Sequence, residues 1–98
     1  MAYLIKINKR ALNEVQKALN HYDKIDKSIG DKFQKNLDKT IIAIASNPFF
    51  EMRYSDVRCL MINKFPYMIH FQVNEKKHLV IIRAVINTSK DPNINWVK

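Results

Sequence analysis

Four cations in the second half of the chain are of types that can do chemistry: Arg58, His70, Arg83 and Lys90. Such groups can move protons and stabilise developing negative charge. An imidazole can act as acid or base near neutral pH, and arginine and lysine supply the charge. Each residue also has a plainer reading. His70 can be an ordinary strand histidine. Arg58 and Arg83 sit in apolar runs, where an unpaired charge is costly. Each therefore faces an open surface or pairs with a carboxylate, for which Glu51 and Asp56 are the candidates.

Those residues must be held by the elements around them. Val57–Ile62, Pro66–Asn74 and Leu79–Asn87 read as three successive strands. In the second, Tyr67, Ile69, Phe71 and Val73 alternate with Met68, His70, Gln72 and Asn74. In the third, Val80, Ile82, Ala84 and Ile86 alternate with Leu79, Ile81, Arg83, Val85 and Asn87. Period-two alternation marks half-buried strands, and Pro66, lacking an amide hydrogen, belongs at a strand start or bulge. The parity puts Tyr67, Ile69, Phe71, Val80, Ile82 and Ala84 on a covered face. Met68, His70, Gln72, Arg83 and Asn87 fall on an open one. Arg58 joins them only if its strand pairs in the right register, which sequence does not fix.

The first half supplies the cover. Tyr3, Ile5 and Ile7 alternate as a short strand. Over Lys9–Lys27 the period changes, with Ala11, Leu12, Val15, Ala18, Leu19, Tyr22 and Ile25 forming one apolar stripe. Ser28 with Asp31 resembles a capping box and opens a second helix, whose stripe is Ile29, Phe33, Leu37, Ile41 and Ile44. Asn47-Pro48 ends it, because the residue before proline is pushed out of helical geometry. The order β-α-α-β-β-β predicts an α+β fold in which a helical hairpin covers one face of a four-stranded, mainly antiparallel sheet.

Composition narrows the partners. Ninety-eight residues suffice for one modest core, so residues 1–98 read as a single domain. Seventeen basic against nine acidic residues give a net charge of +8, which favours nucleic acid, an acidic protein segment or another anionic surface. The lone Cys59 lies in an apolar run and reads as a structural thiol. No His/Cys/Asp/Glu spacing suggests a metal, and no motif asks for a cofactor. No apolar run approaches a membrane span, so a cytoplasmic location without membrane attachment is the expectation.

The ordered set of residues also resembles the RelE/ParE superfamily of bacterial toxins. The likeness rests on Ile29-Gly30-Asp31-Lys32-Phe33, Leu37 and Asn47-Pro48. It continues through Val57-Arg58, the strand-opening Phe65-Pro66-Tyr67, and Asp91-Pro92 followed by Trp96. The resemblance implies the toxin of a type II toxin–antitoxin pair, neutralised by a small, often acidic antitoxin that wraps it. RelE-like members cleave mRNA on the ribosome; ParE-like members poison DNA gyrase. Met68, a residue near Thr88, and Trp96 stand where a RelE-like nuclease has Arg, Arg and Tyr. The departures lean the reading towards ParE-like, non-catalytic inhibition. The alternatives are a ribosome-dependent endoribonuclease using Arg58, His70, Arg83 and Lys90, and a degenerate relative that only binds antitoxin. Lys64, Met68, Gln72, Asn87 and Trp96 are then the candidate contacts to target or antitoxin.

Overall fold

The computed structural model describes residues 2–89. Strand β1 (Leu4–Ile7) leads into helices α1 (Lys9–Ile25) and α2 (Lys27–Ser46). Four strands follow: β2 (Met52–Tyr54), β3 (Val57–Met61), β4 (Tyr67–Asn74) and β5 (Leu79–Asn87). The sheet runs β1-β5-β4-β3-β2, with β1 parallel to β5 and every other pair antiparallel. The α+β class is as expected, but the sheet has five strands rather than four. The added strand, β2, is three residues long and is set by pairing with β3 rather than by any alternation of its own.

Asn8 caps α1 by accepting the Ala11 amide at 3.0 Å. The stripe of α1 faces the sheet through the buried Ala11 and Ala18, while Ile25, its last residue, is exposed. The two helices meet at Asp26, and here the expected cap shifts by two residues. Asp26, not Ser28, is the N-cap of α2; its Oδ1 accepts from both the amide and the hydroxyl of Ser28 at 2.9 Å. Asp31 instead pairs with Lys27 at 3.6 Å on the exposed surface. The Asp26→Ala variant should therefore lower Tm by on the order of 5 °C. Asp31→Ala should leave it nearly unchanged in the same thermal scan, because exposed ion pairs contribute little.

Gly30 makes space. A Cβ there would run into the Asp23 carboxylate of α1, so a larger residue would force that side chain to turn away. Phe33, Leu37 and Ile44 are buried as the stripe predicts, and Thr40 joins them by bonding back to the Asn36 carbonyl. Asn47 is extended and Pro48 follows, ending α2 where expected.

The core lies between the hairpin and one sheet face. Tyr67, Ile69 and Phe71 of β4 and Val80 and Ile82 of β5 point into it, as parity predicts. Beyond Ile82 the parity of β5 fails. Phe71 pairs with Ile82 but His70 pairs with Ala84, so Arg83 is an extra residue in a β-bulge. A bulge moves the following side chains to opposite faces. Val85 consequently enters the core, whereas Ala84 and Ile86 share the register rows of His70 and Met68 on the other face. The Val85 amide donates to Glu14 Oε1 of α1 at 2.8 Å, so this amide stays satisfied at the irregularity.

Candidate functional site

The face away from the helices is built from cross-strand rows. Met61, Met68 and Ile86 form one row; Cys59, His70 and Ala84 form the next, with Arg83 beside them. His70 is fully buried despite lying on this outer face. Its Nδ1 is 3.1 Å from the Tyr54 hydroxyl and 3.5 Å from Cys59 Sγ. Burial pushes the Cys59 thiol up to about 11 against the pull of Arg53. Burial, then neighbouring Cys59, also raises Tyr54, with Arg10 and Arg83 opposing. Both neighbours therefore keep their protons at neutral pH, and each lies within reach of Nδ1. Burial first, then the charges of Arg10 and Arg53, lowers His70 to about 4.

Of the cations expected here, the structure brings His70 and Arg83 together. It places Arg58 elsewhere. Arg58 pairs in register with the core residue Phe71, so it belongs to the helix-side face. There its Nη1 donates to the Phe50 carbonyl at 2.8 Å and its Cζ lies 5.3 Å from the Phe49 ring centre. Those bonds fasten the segment after α2 to β3, which is a structural task. Lys64 is exposed, at positive φ, in the turn between β3 and β4. It lies past the Tyr67 end of β4 rather than opposite His70.

The expected binding residues also divide. Met68 is on the outer face, 9% exposed, as the floor of its row. Gln72 is there too, its Nε2 donating to Asp56 Oδ1 at 2.7 Å. Asn87 is not, because the bulge turns it towards α1. It pairs with Tyr67 and lines a hollow with Lys17, Ala18 and His21. Its Oδ1 accepts from the Ser89 amide and hydroxyl. Lys90 and Trp96 lie outside the described residues.

Three residues of the site were not singled out from sequence: Arg10, Arg53 and Tyr54. Arg10 lies outside the apolar stripe of α1, and Arg53 and Tyr54 sit in the short β2. One signal was present. Only Arg10, Arg53, Arg58 and Arg83 among the 17 basic residues are arginines. Three of these four exert their charge on the Tyr54–His70 pair. Strands β2 to β5 contain no lysine and no carboxylate. Chemically, the arrangement offers fixed positive charge and a hydroxyl. Among the described residues at this site, burial pushes the His70 imidazole towards its neutral form.

Solved structures share this architecture. The chromosomal ParDE system from P. aeruginosa matches with a TM-score of 0.73 at 14% identity, over 88% of this chain and 96% of that one. A mutant of E. coli toxin RelE in the free state matches with a TM-score of 0.68 at 20% identity, over 99% and 95% of the two chains. The intact E. coli RelBE toxin–antitoxin complex matches with a TM-score of 0.57 at 19% identity, over 86% and 94%. At these identities the likeness establishes the fold. No curated protein sequence matches significantly. The sequence model of the ParE toxin of the type II toxin–antitoxin system parDE matches residues 5–92, nearly the whole length, and the chain belongs to that family.

Proposed function

We propose that this chain is the toxin of a type II toxin–antitoxin pair, acts in the cytoplasm, and arrests growth by binding its target rather than by cutting RNA. The observation that supports this reading is His70. It is the one histidine on the outer face, and it is buried and held neutral between two protonated neighbours. A group with a pKa near 4 is a poor proton donor at pH 7 and only a weak base. DNA gyrase is the target that membership of the ParE family suggests. A cognate antitoxin is the silencing partner, in keeping with the ParDE and RelBE systems that share the fold.

A second reading, a RelE-like ribosome-dependent mRNA endoribonuclease, draws on the grouping of Arg10, Arg53 and Arg83. Inducing the chain alone in bacteria should stop growth, and co-expressing the small protein encoded beside it should restore growth. Primer extension should then find intact message together with an SOS response. Ribosome-dependent cuts at codon positions would overturn the inhibitor reading. Absence of any growth arrest would leave a relative that only binds antitoxin. Arg83→Ala should raise survival at least about tenfold, while Lys17→Ala on α1 should change it less than about twofold. Equal toxicity of the two variants would remove the outer face from the mechanism.

A further inference from the structure

We infer that the apolar cleft between α1 and α2 binds a small primary amine. A hydrocarbon body of roughly six to eight carbons fits the space between the helices, and the ammonium group stays at the mouth beside Asp38. The site lies on the helix side of the sheet and rests on neither the outer face nor the toxin reading.

The space between the two layers is filled unevenly. Near the α1–α2 connection it is packed with rings. Tyr22 and Phe33 lie 5.4 Å apart, and each meets Phe65 and Tyr67 at 5.0 to 6.2 Å. Further from the connection the lining turns aliphatic. Leu12 and Val15 of α1 and Leu37 and Ile41 of α2 form the walls, and Ile69, Ile82 and Val85 of the sheet form the floor. None of the lining residues is aromatic, and a cavity of about 240 Å³ is left. An aliphatic cavity of about 150 Å³ already stays dry and takes up benzene. The walls of such a space lack dispersion partners, which a bound hydrocarbon restores.

Exposure shows where the cavity opens. Leu12 belongs to the apolar stripe of α1, yet it is 53% exposed, whereas Leu37 of the same cavity is 3% exposed. Val15 and Ile41 are half-buried, and the floor residues are buried. A ligand therefore enters past Leu12 over an aliphatic surface that narrows inwards.

The rim sets the head group. It carries Gln34 and the exposed Asp38. Gln34 Nε2 donates to Asp38 Oδ1 at 3.0 Å. A carboxylate only accepts, so the amide nitrogen is the atom that faces it. What remains for a ligand is acceptors: the second oxygen of Asp38 and the amide oxygen of Gln34. Among the described residues Asp38 forms no ion pair, unlike Glu14 and Asp31. An ammonium group answers both acceptors with charge-assisted bonds and keeps part of its hydration at this open position. An alcohol brings one donor without the charge, and a carboxylate is repelled. The net charge of +8 opposes a cation at long range, but physiological salt screens it beyond about 8 Å, and Asp38 stands at the mouth itself.

The test uses the full 98-residue chain at neutral pH with three probes of equal chain length: hexylamine, 1-hexanol and hexanoate. An NMR titration should show saturable shifts at Val15, Leu37, Ile69 and Val85. Hexylamine should bind about threefold to fivefold more tightly than 1-hexanol, with hexanoate weakest. Asp38→Asn should remove that preference, and Asp31→Asn, at the start of α2, should keep it. Val15→Phe fills the cavity and should weaken hexylamine at least about tenfold. Asp38 is exposed, so its variant folds and tests the head group even where Val15→Phe does not. Absence of saturable shifts at these residues would overturn the site. Equal affinity for hexylamine and 1-hexanol, or a preference for hexanoate, would overturn the amine. Shifts at the same residues on dilution without ligand would give the cleft to a second copy of the chain. A nuclear Overhauser contact from Trp96 to Val15 or Leu37 would give it to the chain's own C-terminus. Either result would overturn the proposal.

Discussion

Replacing Phe33 with alanine should lower the free energy of unfolding by about 3–5 kcal/mol, read from the midpoint of a urea transition with an unchanged slope. Phe33 has no exposed surface. Its ring centre lies 5.4 Å from Tyr22, 5.2 Å from Phe65 and 5.5 Å from Tyr67. Those rings belong to α1, the β3–β4 turn and β4, so one side chain of α2 joins three other parts of the molecule. The contacts with Phe65 and Tyr67 are edge-on, and each such pair adds about 0.5–1.5 kcal/mol beyond its buried area. No smaller residue can reach all three. Ile42→Ala, at a position 64% exposed on the same helix, should change stability by less than about 0.5 kcal/mol. A Phe33→Ala loss below about 1.5 kcal/mol would mean that the rings re-pack around the gap and that Phe33 is not the hub.

Much of this was legible because helical and strand periods are local properties. The seven-residue stripe of α1 and the Asn47-Pro48 stop each announce themselves within a few residues. So do the alternations that put Tyr67, Ile69, Phe71, Val80 and Ile82 in the core. What was not legible depends on residues far apart. A three-residue strand such as β2 has no period to detect, and with it Arg53 and Tyr54 passed unnoticed. The bulge at Arg83 is secured by the bond from the Val85 amide to Glu14, 71 positions before Val85. No reading of β5 alone could have shown that Val85 turns inwards and Asn87 towards α1. Arg58 depended on register, and its row with Phe71 sent it to the helix side. His70 and Arg83 were found because strand parity up to the bulge was correct. The burial of His70 was not foreseen, because the cover comes from Tyr54 on the undetected strand.

That burial leads to a pH dependence that can be measured. The His70 pKa in the folded chain is about 4, against an ordinary value of 6.5. Between these values the unfolded chain binds a proton that the folded chain excludes. Stability from this group is therefore fully present above about pH 6.5 and is lost as pH falls towards 4. The gap of 2.5 pKa units corresponds to roughly 3 kcal/mol. Urea titrations at intervals across that window should show a loss of this order in the natural chain and a much flatter profile in His70→Gln. Asp26, held below its usual range chiefly by the Ser28 amide, adds a loss only at lower pH and does so in both proteins. The ring can also be followed directly by its NMR shift in the natural chain, which does not depend on a variant folding. A midpoint near 6.5 in the unaltered chain would mean that the imidazole is solvated and free to exchange protons. His70 would then regain a role as acid or base, and RNA cleavage would displace target binding as the better account of how this toxin works.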